Sequence, residues 1–324
     1  MKGGKQSMKF GREQIEDIVR KISAKELNYI DSVVVGDNSS GKSLLLKEFV
    51  QQVNSSGAEV YFIDAVNRSF NVKEVPVLPD EKPEYKPVLL ETRMREDYFN
   101  LKDSFNCYGT LTETAERIYP IYEAEVQALF YELTGTKFTL MPEDPFGEVR
   151  FQEGKGLLSS GYQAIVRILL ELLYYDDAVI GEKGGRKAWV VIDELDEFLS
   201  PRYSARILEF LKEKFPWADW LVSTHSCDLI ANSSDANLIV LDDGECEVID
   251  INDYSSVSEV QIIFERLFGR IKNEEDAIDG KLRRLLNNKI NNAWKDSDEE
   301  LLKGLQQEQL TASQSVILRQ IQEW

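Results

Sequence analysis

The chain has 324 residues, 38 Lys and Arg against 57 Asp and Glu, one histidine, three cysteines, 43% hydrophobic residues and a net charge of −19. That apolar share supports a proper core, expected as one large domain or one with an appended part, and argues against a disordered chain. The acidity means that any contact with nucleic acid or anionic membrane must use a local basic patch, and a single imidazole excludes HNH nucleases, HExxH proteases and multi-histidine metal sites.

Cys107, Cys227 and Cys246 are odd in number and lack CxxC spacing, which fits a reducing compartment and a cytoplasmic protein. The opening MKGGKQSMKFGREQ has no apolar signal core, and no run of about 18 apolar residues occurs, so no membrane contact is expected.

In chain order, Ile15, Ile18, Val19 and Ile22 recur at helical spacing within residues 11–28. Ser32-Val33-Val34-Val35 then reads as a buried strand ending in Gly36. A helix starting near Ser43 and a short strand over 59–64 complete the strand-helix-strand order of a parallel α/β sheet. Residues 71–110, with Pro76, Pro79, Pro83 and Pro87, predict a surface excursion, and 113–133, closed by Gly135, a helical arm. Together 71–150 reads as an insert. Ala164 to Tyr175 is too long for a strand and predicts a buried helix. After Gly184 and Gly185 come strands over 189–192, 220–223 and 237–241, and Asp243-Gly244 has the sequence of a tight hairpin turn. From Asn252 the pattern is helical and amphipathic, with Ile262, Ile263, Leu267 and Phe268, then Leu301, Leu302 and Leu305. The expected organisation is a head over 1–251 and a C-terminal helical region over 252–324.

Four short segments carry chemistry. Gly36-Asp37-Asn38-Ser39-Ser40-Gly41-Lys42-Ser43 matches GxxxxGK[ST] between a predicted strand and a predicted helix. There, backbone N–H groups and the helix N-terminus face phosphate oxygens, Lys42 bridges the β and γ phosphates, and Ser43 holds Mg²⁺. The apolar strand over 189–192 delivers Asp193 and Glu194 to its C-terminal end, where open parallel sheets bind ligands. Asp193 would hold Mg²⁺ and Glu194 would polarise the attacking water. His225, in Ser223-Thr224-His225-Ser226 at the end of the next strand, is placed to donate to the γ-phosphate. Leu158-Ser159-Ser160-Gly161-Tyr162-Gln163 by itself is an ordinary Ser-Gly helix start. Its position between the other segments points to a second phosphate clamp.

These segments, in this order, resemble the ABC-type ATPase superfamily: phosphate loop, LSGGQ-like signature, Walker B with adjacent glutamate, and switch histidine. Asp193-Glu194-Leu195-Asp196-Glu197-Phe198-Leu199-Ser200-Pro201 is similar to the DEPEAHLHP segment of the OLD, RecF and related AAA-15/AAA-21 heads rather than to the DEPTSALD of transporter ATPases. The resemblance covers roughly Ser32 to Ile249 and implies a P-loop ABC-type head with a mainly parallel sheet, a helical insert and a C-terminal helical tail. It implies ATP and Mg²⁺ as cofactors, with Gly36, Asn38, Ser39, Ser40, Gly41, Lys42 and Ser43 around the phosphates and Ser43 and Asp193 at the metal. Glu194 and His225 would be catalytic, and Ser159, Ser160 and Gly161 would meet the nucleotide of another protomer in a head-to-tail homodimer or higher oligomer. Departures from the family pattern are Ser39 and Ser160 in place of glycines and Leu195 in place of proline, with Asn67 standing near the place of the Q-loop glutamine. They bear on turnover rate more than on nucleotide binding.

The group to which the chain is similar implies a defence-associated ATPase of the kind found in Septu, retron or PARIS anti-phage systems: a switch controlling a partner effector, a nuclease or toxin. A RecF-like DNA repair ATPase is the competing function, for which Lys281, Arg283 and Arg284 offer a basic patch. The plainer reading of that patch is a solvated helix face. A transporter energiser fits less well because of the segment after Glu194.

Overall fold

In the computed structural model, the described residues are 4–37, 40–78, 82, 84–95, 99, 114–143, 147–182, 184, 186–242, 245–254, 256–268, 282, 285, 289, 294–305, 318, 319, 321 and 322. Asn38, Ser39, the turn Asp243-Gly244 and the patch residues Lys281, Arg283 and Arg284 lie outside them.

Helix α1 (Gly4–Ser23) precedes strand β1 (Ser32–Gly36), helix α2 (Lys42–Ser55) and strand β2 (Val60–Ile63). Helices α3 (Pro87–Arg93) and α4 (Tyr119–Thr134) follow, then three short strands, β3 (Phe138–Leu140), β4 (Val149–Phe151) and β5 (Gly154–Gly156). The chain continues through helix α5 (Ser160–Tyr175), β6 (Ala188–Ile192), α6 (Pro201–Lys214), β7 (Ala218–Ser223), α7 (Cys227–Ala231), β8 (Asn237–Asp242) and β9 (Glu245–Asp250).

Among the described residues the main sheet has the order β2-β6-β7-β1-β8-β9. All neighbouring pairs are parallel except β8 with β9, where Leu241 faces Cys246 as a hairpin requires. Burial on both faces explains why β1 and β6 read as unbroken apolar runs. One face offers Val34, Val60, Phe62, Trp189, Val191, Leu221, Ile239 and Leu241, alternating along their strands, to Ile15, Ile18, Val19 and Ile22 of α1 and Leu45, Leu46, Phe49, Val50 and Val53 of α2. The opposite face meets α5, where Tyr61 stacks obliquely on Tyr175 at 4.7 Å and donates to Glu171 at 2.8 Å.

The insert differs in part from its sequence reading. The helical arm begins at Tyr119, after a 3₁₀ turn over Ala115–Ile118, and ends at Gly135. Strands β3, β4 and β5 form a separate antiparallel sheet that the sequence did not announce. Phe138-Thr139-Leu140 and Val149-Arg150-Phe151 alternate apolar and polar residues, but over only three positions each, too few to mark a strand, and Gly154-Lys155-Gly156 carries no alternation.

The chain divides into two compact units, Met1–Ile262 and Ile263–Trp324. The second has its own small core of Leu282, Leu285, Leu302, Leu305, Leu318 and Ile321. Among the described residues no helix is long and apolar enough to cross a membrane.

Candidate functional site

The parallel strands β1, β6 and β7 lie side by side and deliver the loops after Gly36, Ile192 and Ser223 to one edge of the sheet. That shared edge is where an open α/β sheet builds its ligand site. Gly41 turns the chain into α2 with φ 105°, a left-handed conformation in which a side chain is strained.

Lys42 is buried in the first turn of α2, and its Nζ donates to the carbonyl oxygens of Gly36 at 2.9 Å and Asp37 at 3.2 Å, both in the loop that precedes it. Burial lowers its ammonium below the ordinary lysine value, while the charges of Glu194, Asp193 and Asp37 oppose that shift. The lysine is therefore folded over the loop with carboxylates around it. Ser40 Oγ is buried in the same loop without a hydrogen-bond partner among the described residues.

Ser43 Oγ donates to Asp193 Oδ2 at 3.0 Å, which joins the loop helix to the end of β6. Ser223, at the end of β7, donates through Oγ to Asp193 Oδ1 at 2.6 Å and accepts from the Glu194 N–H at 2.8 Å. His225 Nε2 lies 3.5 Å from Glu194 Oε1, both side chains partly exposed. The His225 contact is the main reason the Glu194 carboxyl is held below its usual value, with Lys42 adding to it and burial opposing it. Glu197 is pushed the other way, by burial and then by the neighbouring Glu194. Thus Glu194 stays ionised beside two groups that favour its charge.

The donor set suits Mg²⁺ and a triphosphate. A serine hydroxyl and an aspartate carboxylate are hard oxygen ligands, and among the described residues no group of three or more His, Cys, Asp or Glu could hold a metal. An ion here would draw its remaining ligands from phosphate and water, which is how Mg²⁺ is usually held. The buried, unsatisfied Ser40 hydroxyl and the amides at the start of α2 supply donors for phosphate oxygens.

The signature segment forms a different cluster. Ser159 caps α5, its Oγ accepting from the Tyr162 N–H at 3.3 Å, and Ser159 and Ser160 are exposed. Gln163 donates to Leu158 O at 2.9 Å and accepts from the Phe70 N–H at 3.1 Å. Gly161 lies against Phe198, where an added Cβ would sit 2.8 Å from the carbonyl oxygen. These contacts run to α5 itself, to the loop after β2 and to the segment after Glu194, not to the loop before α2. The structure thus brings Gly36, Ser40, Gly41, Lys42, Ser43, Asp193, Glu194 and His225 together and sets Ser159, Ser160 and Gly161 apart from them, the two serines exposed and Gly161 packed against Phe198.

Two residues of this centre escaped the sequence reading. Ser223, in Ser223-Thr224-His225-Ser226, holds both Asp193 and the Glu194 N–H, and Arg68, one position after Asn67, donates through Nη2 to the Asp193 carbonyl at 2.8 Å. Asn67 instead closes a turn on Asp64, donating from its backbone N–H at 2.7 Å and from Nδ2 at 3.0 Å.

The fold is mixed α/β with a mainly parallel sheet, and the loop of sequence GxxxxGK[ST] stands at the edge of that sheet beside Asp193 and Glu194. Among curated proteins, the chain is similar to the Septu protein PtuA of Bacillus thuringiensis, 24% identical over 147 residues, which is 44% of this chain and 33% of that protein. The match therefore spans about a third of that relative's length. No protein-family model matches. Among solved structures the chain is similar to an SMC head bound to the C-winged helix domain of ScpA, with 18% identity, a TM-score of 0.32, and 58% of this chain and 54% of that one covered. It is also similar to the SMC head domain from Thermotoga maritima, with 18% identity, a TM-score of 0.31, and 42% and 49% covered.

Proposed function

We propose that this chain is an ATP-binding and ATP-hydrolysing switch that closes head to tail with a second copy and controls a partner effector, a nuclease or toxin, in anti-phage defence. The nucleotide half rests on one observation: Lys42, Ser43, Asp193, Glu194 and His225 converge at the ends of three neighbouring parallel strands. Lys42 would leave its carbonyl partners for the β and γ phosphates. Mg²⁺, bound by Ser43 and Asp193, would offset the charge that develops on the phosphates. Glu194 polarises the attacking water and takes its proton, and His225 orients Glu194 and donates to the γ-phosphate.

Dimerisation is supported by the signature helix start, whose serines face solvent while their hydrogen bonds stay within α5. A second copy could present this helix N-terminus to the triphosphate. The likeness to a Septu protein supports the defence setting.

Light scattering tests the reading. Glu194→Gln with Mg-ATP is expected to double in mass, and Lys42→Ala to remain a monomer. An unchanged mass for an ATP-saturated Glu194→Gln variant would remove the dimer from the proposal, and failure of the wild type to bind ATP would remove the rest.

A further inference from the structure

Glu194 has φ 51°, a left-handed conformation that costs a non-glycine residue energy and persists only when its surroundings impose it. The peptide that joins Asp193 to Glu194 is held at both ends. Its carbonyl accepts from Arg68 Nη2 at 2.8 Å, and its N–H donates to Ser223 Oγ at 2.8 Å. Ser223 is in turn anchored on Asp193 Oδ1 at 2.6 Å.

Arg68 is 1% exposed, and its Nε and Nη1 have no hydrogen-bond partner among the described residues. A buried guanidinium with unmet donors is costly for a side chain that only fills space. The loop that carries it is fixed beforehand: Asp64 Oδ1 accepts from the N–H groups of Val66 and Asn67, and the Phe70 N–H donates to Gln163.

We propose that Arg68 and Ser223 form a clamp on the Asp193–Glu194 peptide, and that Arg68 is a positioning residue for the hydrolytic step, aiming the Glu194 carboxylate without touching nucleotide. This rests on the reading of Glu194 as the water-polarising base.

The test compares wild type, Arg68→Met, Arg68→Lys, Ser223→Ala and Glu194→Gln. It measures ATP affinity, kcat, KM and melting temperature, together with hydrogen exchange at the Glu194 amide in nucleotide-free protein. Arg68→Met is expected to lower kcat by about 30-fold or more, on the scale of a lost preorganising contact, while ATP affinity stays within about threefold. Arg68→Lys recovers part of kcat because an ammonium can still donate to the carbonyl. Exchange at the Glu194 amide accelerates by about tenfold or more in Arg68→Met and Ser223→Ala. If Arg68→Met does not fold, Ser223→Ala, which releases the other end of the peptide, carries the same expectation. Wild-type kcat and exchange in both clamp variants, beside an inactive Glu194→Gln, overturn the clamp alone. So does a parallel fall of kcat, ATP affinity and melting temperature with no rescue by lysine. Wild-type turnover by Glu194→Gln overturns the reading of Glu194 as the base and the clamp together.

Discussion

Gly161→Ala sets two opposing effects against each other at the point where the signature helix meets the segment after Glu194. Helix propensity favours alanine over glycine by about 0.5–1 kcal/mol. The added Cβ, however, would stand 2.8 Å from the Phe198 carbonyl oxygen, 3.7 Å from its carbon and 3.9 Å from Leu199 Cα. The closest of these is shorter than any ordinary van der Waals contact, and the neighbour is backbone rather than a side chain that can swing aside. Overpacking of this kind costs about 1–3 kcal/mol. The clash therefore wins, leaving a net loss of roughly 0.5–2 kcal/mol. For a unit of this size that lowers the melting temperature by about 1–8 °C. Any relief must come from displacing Phe198, which has φ 67° and lies four residues beyond Glu194, so turnover falls along with stability. Thermal and urea unfolding of the nucleotide-free protein are the assay. A Gly161→Ala variant that melts at or above the wild-type temperature would refute the close approach and the packing of α5 against that segment.

Lys42→Ala removes a charged donor from the phosphate cradle and is expected to weaken ATP binding by roughly 100-fold or more in a fluorescent-nucleotide titration. Asp64→Asn strips the charge partner from Arg93, whose side chain is 2% exposed; breaking a buried pair in this way costs about 3–5 kcal/mol in denaturant unfolding. Burial resists ionisation of Asp64, but Arg93, the Asn67 amide and Arg68 outweigh it and hold the carboxyl below its ordinary value. The stabilisation from this depressed value is fully present above the unfolded value near about 3.9 and is lost as pH falls through the folded one, so Asp64→Asn should flatten the acid limb of the stability profile. Burial pushes the Cys246 thiol up to about 11, and its alkylation at pH 8, followed by mass spectrometry, should run about 100-fold slower in the folded protein than in the unfolded chain.

The legible parts of this molecule were those whose physics is local. The loop from Gly36 to Ser43 needs glycine, lysine and serine at fixed places between a strand and a helix, and that context is visible in the residues themselves. Val33 to Val35 and Trp189 to Ile192 show as unbroken apolar runs because both faces of their strands are buried. Ser159 was readable as a helix start, and its side chain does cap α5. Arg68 and Ser223 were harder to read because their partner, Asp193, lies 125 and 30 residues away, and no periodicity reports a contact at that range. The left-handed backbone of Glu194 and Phe198 was equally hidden, since neither residue type favours it. Glycine-rich β5 gave no pattern at all, so its sheet emerged only from pairing with β4.

Complementation between two inactive chains measures the shared site most directly. Lys42→Ala disables one chain's phosphate loop, and Ser159→Asp disables the signature helix start of the other; each variant alone is expected to hydrolyse no ATP. A mixed head-to-tail dimer contains one site with both halves intact, so equal mixing should restore up to about a quarter of wild-type turnover if copies exchange freely. Mixtures no more active than the separate variants, although both chains remain folded and Ser159→Asp still binds ATP, would contradict a site built from two copies of this chain.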